Sequence, residues 1–145
     1  MKNKQKGFTL IELLVAMTIV SILMGLALVS YQGAKKTARD GKRKADLEQI
    51  RSALEMCRAD TGSYPTTIYD TISCGGQTYL SSTPKDPVNS NQYAYTPSPS
   101  NCNPLGSNKC TSYTLCAVLE VGGGTVSGCG SCGTGVTCNY KVTNP

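Results

Sequence analysis

One carboxylate stands where water is not expected. From Phe8 to Val29 the chain runs through 22 residues in which Glu12 is the single ionisable side chain. As a helix this stretch is about 33 Å long at ~1.5 Å per residue, enough to cross a hydrocarbon core of about 30 Å. A charge near a bilayer centre costs on the order of 2–3 kcal/mol or more. Such a residue is kept where a partner offsets its cost, which makes Glu12 a functional candidate. The plainer alternative is that Glu12 lies near the interface and reaches water along its own stem.

The other reactive residues point away from catalysis. There is no histidine among the 145 residues, which removes Ser-His-Asp and Cys-His nucleophiles and every histidine metal site. No G-x-x-x-x-G-K phosphate loop occurs. Beyond residue 60 the carboxylates are Asp70, Asp86 and Glu120, spread thinly along the chain; a calcium loop needs them clustered. Neither an enzyme nor a metal or cofactor site is expected.

Eight cysteines remain, the first at Cys57. An even number confined to one side of a membrane segment reads as disulfides in a small exported domain. Cys57 and Cys74 would pin a turn to a helix, and a loop of this length contributes about 3 kcal/mol in the chain-entropy model. Cys102 and Cys110 flank a Pro-Gly loop. Cys116 with Cys138, on neighbouring strands, and Cys129 with Cys132, in a tight ring, complete the expected pairing. The rival for the last four is a four-cysteine zinc site, which lacks a second C-x-x-C.

The elements that carry these residues follow from pattern. Ala34–Ala59 has no proline and abounds in Ala, Lys, Arg, Glu and Leu. Leu47, Ile50, Leu54 and Cys57 recur at helical spacing, with Ala53 beside them, and form a stripe that packs on a sheet. Asp60-Thr61-Gly62 ends the helix, with Gly62 as a left-handed cap and Pro65 beyond it. The product is one helix of about 50 residues whose first half is apolar. Tyr93–Thr96, Ser112–Glu120 and the alternating Val136, Cys138, Tyr140 and Val142 give an antiparallel sheet of three to four strands. Tyr113, Leu115, Ala117 and Leu119 share its inner face. The loops over 96–109 and 122–135 are poor in apolar residues and need tethering.

Charge divides unevenly. The formal net charge of +5 falls to +2 if Lys2, Lys4 and Lys6 are removed. Eight basic and five acidic residues lie between Lys35 and Asp60, and the rest is balanced. The cluster Lys35, Lys36, Arg39, Lys42, Arg43 and Lys44 reads as a headgroup contact, a fibre-interior lining or a solvated helix face. Net charge gives no argument for nucleic acid.

Three readings of the N-terminus compete: a cleaved secretory signal, for which the apolar run is too long and no A-x-A site follows; a plain single-span anchor; and a processing site at Gly7–Phe8. The string Gly7-Phe8-Thr9-Leu10-Ile11-Glu12-Leu13-Leu14-Val15 after a basic leader resembles the class III signal peptide of type IV pilins and type II secretion pseudopilins. The segment from Lys44 to Thr67, with Gly62-Ser63-Tyr64-Pro65, resembles the helix end of the major pseudopilin, and Pro84-Lys85-Asp86-Pro87 with Tyr93-Ala94-Tyr95 resembles the entry to that family's first strand.

The resemblance implies an α+β, type IV pilin-like fold: a cleaved cytoplasmic leader (1–7), a transmembrane and filament-core helix (8–29), an amphipathic helix (30–61) and an extracytoplasmic head (62–145). It implies cleavage after Gly7 by a prepilin peptidase, N-methylation of Phe8, and pairing of Glu12 with the Phe8 amine of a neighbouring copy. Two charges about 4 Å apart attract by about 4 kcal/mol at an effective dielectric of 20, which offsets burial and sets register. Implied partners are further copies in a helical filament, the peptidase, the membrane, and an inner-membrane assembly platform with its cytoplasmic ATPase. The subunit would sit in the cytoplasmic membrane, N-terminus inside, before joining a surface filament. A count of positive charges favours the opposite orientation, but the cysteines agree with the family. The C-terminal region has cysteines and glycines where the major pseudopilins have a calcium site, which favours a pilin. The alternatives are a pseudopilin of a secretion or DNA-uptake system, and a membrane-anchored, disulfide-rich adhesion module whose tyrosines stack on a ligand.

Overall fold

The computed structural model describes residues 7–133 and 135–145, so the leader residues 1–6, with Lys2, Lys4 and Lys6, lie outside the described residues. The chain divides into two compact units, one ending at Lys36 and the other running Thr37–Pro145. A single helix, α1 (Leu10–Thr61), contributes residues to both.

In the first unit the helix begins where Thr9 supplies a cap: its Oγ1 accepts the Glu12 backbone N–H at 3.3 Å. That satisfies one of the donors a helix start leaves open. The hydroxyls of Thr18 and Ser21 donate to the carbonyls of Val15 and Met17, at 2.7 and 2.8 Å. These two hydroxyls therefore need no water. The large apolar side chains from Phe8 to Tyr31 are 50–88 % exposed. The helix is long and apolar enough to cross a membrane.

The second unit has its core on the predicted stripe. Leu47, Ile50, Ala53, Leu54 and Cys57 are buried together with Tyr64, Ile72, Tyr113 and Leu115. The stripe extends about two turns further back than apolar residues alone indicate, because Asp40, Arg43 and Asp46 are buried too. Gly62 ends the helix at φ 72°, donating its N–H to the Arg58 carbonyl at 2.7 Å.

Five strands form two separate antiparallel sheets. β1 (Ile72–Cys74) and β2 (Gln77–Leu80) make a hairpin across Gly75-Gly76. Both glycines have positive φ, as a tight two-residue hairpin turn demands. β3 (Ala94–Ser98), β4 (Ser112–Ala117) and β5 (Tyr140–Thr143) form the main sheet, with β4 central. Tyr113, Leu115 and Ala117 are buried in one cluster with Leu47, Ile50 and Leu54 of the helix, and Leu119, beyond the strand, is buried as well.

The sheet is shorter than its pattern at both ends. β4 stops at Ala117 rather than Glu120. Of the alternating C-terminal residues, only Tyr140 and Val142 lie in a paired strand. Val136 is 44 % exposed in a loop.

All four disulfides lie in the second unit, and every cysteine is bonded. Cys57 joins Cys74 and Cys102 joins Cys110. The expected Cys116–Cys138 and Cys129–Cys132 pairs are replaced by Cys116–Cys129 and Cys132–Cys138. Strand register explains the first change. Cys116 lies opposite Lys141, and Cys138 precedes that position by three residues. At about 3.3 Å per residue the offset is roughly 10 Å, beyond disulfide reach of about 7 Å. The loop after β4 instead folds back, bringing the Cys129 Cα to 6.0 Å from that of Cys116. Cys132 then closes a small ring on Cys138 at 5.3 Å. The zinc alternative fails because these sulfurs are bonded in pairs.

Candidate functional site

Gly7, Phe8, Thr9 and Glu12 lie at the start of α1. No backbone feature requires glycine at position 7, and an added Cβ would meet nothing within 4 Å. Phe8 is 86 % exposed. Glu12 is the acidic residue of the first helical turn. There the positive end of the helix dipole favours a carboxylate by about 0.3–1 kcal/mol. Among the described residues, no lysine or arginine forms an ion pair with it. Its in-chain support is the helix end that Thr9 caps. Sequence reasoning passed over Thr9, although Thr-x-x-Glu before an apolar run is the spacing of a capping box.

A second set of charges shows the opposite condition. The Arg43 guanidinium, with its side chain 5 % exposed, sits among three carboxylates. Nε donates to Asp86 at 2.6 Å, and Nη1 donates to Asp40 at 2.8 Å and to Glu120 at 3.0 Å. Arg39 also grips Glu120, Nε donating at 2.6 Å. Asp40 in turn accepts the backbone N–H groups of Glu120 and Val121 at 2.9 and 2.7 Å. Asp86 accepts those of Val88 and Asn89 at 2.9 and 3.3 Å. The cluster thus fastens the helix to the segment before β3 and to the one after β4.

The protonation states follow from these contacts. The Arg39 hydrogen bond, reinforced by Arg43, holds the Glu120 carboxyl down at about 2 against partial desolvation. Burial pushes the Asp40 carboxyl up, but the Glu120 and Val121 amides and Arg43 together hold it below the usual range. The same balance, with Arg43 and two amides outweighing burial, depresses Asp86. The hydrogen bond to Asp86 raises Arg43, which stays charged.

The basic cluster is therefore two populations. Lys35, Lys36, Lys42 and Lys44 are exposed. Arg39 and Arg43 are committed to carboxylates inside the unit, so these two are neither a solvated face nor a headgroup contact. Asp86 and Glu120, far apart in sequence, converge on one guanidinium.

Most tyrosines also serve the interior. Tyr64, Tyr93 and Tyr113 are buried. The Tyr64 and Tyr113 hydroxyls donate to Glu55 at 3.0 and 3.2 Å, and Tyr93 donates to Asp46 at 2.9 Å. Desolvation pushes the Tyr93 and Tyr113 hydroxyls up, so they remain donors. Tyr31 and Tyr69 are largely exposed, 65 % and 71 %.

A glycine that the fold does not require, an exposed phenylalanine and an acidic first turn thus stand together at the start of an uncovered apolar helix. Residues 2–28 match the prokaryotic N-terminal methylation motif. The chain is homologous to the G pseudopilins of type II secretion and to a type IV fimbrial protein. It is 33 % identical over 95 residues to type II secretion system core protein G of Dickeya chrysanthemi, across 66 % of this chain and 60 % of that protein. It is 38 % identical over 66 residues to the same-named protein of Aeromonas hydrophila, across 46 % of each. It is 38 % identical over 60 residues to type IV major fimbrial protein FimA of Dichelobacter nodosus, across 41 % of this chain and 38 % of that protein. The chain thus spans between about two-fifths and three-fifths of the length of these relatives. No solved structure is significantly similar.

Proposed function

We propose that this chain is a structural subunit of a type IV pilus or pilus-like filament. The observation that carries the reading is the uncovered apolar helix, which bears Gly7, Phe8 and Glu12 in the methylation motif. An apolar surface of this extent needs a non-aqueous partner. A bilayer supplies one before assembly, and the helices of other copies supply one after it. Residues 1–7 are a cytoplasmic leader that a prepilin peptidase removes after Gly7. The free fold sets no requirement for glycine there, which leaves recognition by the peptidase as the reason for it. Cleavage exposes the Phe8 amine, which is then methylated and pairs with Glu12 of a neighbouring copy. An inner-membrane platform driven by a cytoplasmic ATPase extrudes the filament. The head lies on the oxidising side, where its four disulfides persist.

Use in a secretion pseudopilus is the second reading. It is favoured by the longer similarity to a G protein, over 95 residues against 60 for the fimbrial relative. Both readings make the chain a polymerising structural protein rather than an enzyme.

Filaments sheared from cells, examined by intact-mass and peptide mass spectrometry, test this directly. The expected species begins at methylated Phe8 and carries four disulfides. Recovery only of monomer that retains residues 1–7 contradicts the proposal and favours a membrane-tethered adhesion module.

A further inference from the structure

The head has two unlike ends. At the closed end of the β3–β4 hairpin, Ser98 pairs with Ser112, and the chain between them is drawn into a loop by the Cys102–Cys110 disulfide. The base of this loop is tied to the residues that follow α1, because the Tyr64 N–H donates to the Cys110 carbonyl at 2.9 Å. On the loop stands Leu105, 97 % exposed. It is the most exposed large apolar side chain among the described residues, the membrane-type helix included.

At the open end of the same hairpin, Ala94 pairs with Cys116, and a recess of about 440 Å³ opens there. Val88, Ala94, Ala117, Val118 and Val136 supply its apolar wall. Val88 and Val136 remain 61 % and 44 % exposed. Arg43 lines the recess, and about 27 Å of helix separates it from Thr61 at the loop end. Charge is complementary as well. The loop carries Lys109 and no acidic residue, while the ion-pair cluster at the recess holds three carboxylates, Asp40, Asp86 and Glu120, against two guanidiniums, Arg39 and Arg43.

The geometry points to a head-to-tail contact between copies of this chain: the Leu105 loop of one copy seats in the recess of the next along the filament. The proposal rests on the filament reading above. Parallel copies present opposite ends to each other, and a contact between two different patches related by a translation along the axis does not close on itself. The disulfide at the loop base restricts the loop before binding, so little ordering entropy is lost on docking. A leucine entering a walled recess takes a fully exposed apolar side chain out of water, which favours docking.

The test uses the full chain in a strain that assembles it. A photoreactive benzophenone amino acid in place of Leu105 is activated in sheared filaments, and the crosslinked peptides are sequenced. The expected crosslink joins position 105 of one copy to the recess segments 86–94, 116–120 or 132–136 of another. A crosslink to any other segment, or none between copies, overturns the contact. In parallel, Leu105→Asp and Val136→Trp each lower filament yield by on the order of tenfold, with cleavage at Gly7–Phe8 and head melting unchanged. Wild-type yield from both variants also overturns it. If the wild-type chain forms no filaments, the filament reading itself has failed and takes the contact with it.

Discussion

Two stretches of one helix place charge among apolar residues, and they treat it in opposite ways. Around Arg43 every charge is answered inside the chain: Asp40, Asp86 and Glu120 surround the guanidinium, and backbone amides complete the carboxylates. Around Glu12 the chain supplies a capped helix end and, among the described residues, no cation. Burial differs in the same sense. Arg43 is 4 % exposed, while the apolar neighbours of Glu12, Ile11 and Leu13, are 73 % and 55 % exposed. A charge that the fold completes is structural. A charge that the fold leaves open, on a surface it also leaves uncovered, is what the proposed filament contact would complete.

The largest expected effect breaks the completed side. Replacing Arg43 by Met leaves Asp40 and Asp86 buried without their cation, a change that costs about 3–5 kcal/mol. Thermal melting of the second unit, followed by circular dichroism, should show a large fall. An unchanged melting temperature makes the cluster ornamental. Removing the Cys57–Cys74 bridge by Ser at both positions should cost about 3 kcal/mol, through freedom returned to the unfolded chain. Melting with and without reductant checks this.

Acid sharpens the comparison further. Glu120 has its carboxyl depressed from 4.5 to about 2, and Asp40 and Asp86 are shifted the same way. Groups with depressed folded-state values stabilise fully above their unfolded values and lose that contribution as pH falls through the folded ones. The second unit should therefore hold its melting temperature from pH 7 to about 5 and lose it progressively from about 4.5 toward 2. In Glu120→Gln that slope should be shallower. Equal slopes remove Glu120 from the account.

Much of this arrangement could be read from residue spacing, and the failures have a common cause. The stripe Leu47–Cys57, the Gly62 cap and the inner face of β4 are local periodicities, so they were visible. The β1–β2 hairpin was also encoded locally, in Gly75-Gly76 between short strands, but its strands are only three and four residues long and give little alternation. The Arg43 cluster was hidden because its helical members, Arg39, Asp40 and Arg43, are 77 to 81 residues from Glu120 in sequence and Arg43 is 43 from Asp86; only the folded sheet brings them together. The pairing of Cys116, Cys129, Cys132 and Cys138 depended on strand register, which spacing does not fix. Gly7, Phe8 and Glu12 stood out for the opposite reason. Their signal is written in one short string, inside the methylation motif that residues 2–28 match.

The most direct measurement sets the two regions against each other in one variant. Glu12→Ala, expressed in place of the wild-type chain, should insert and be cleaved after Gly7. Its second unit should melt at the wild-type temperature, and its yield of sheared filaments should fall by on the order of tenfold or more, as loss of an ion pair worth a few kcal/mol requires. Wild-type filament yield, or a head destabilised by this distant change, would contradict the claim that Glu12 is completed only by another copy.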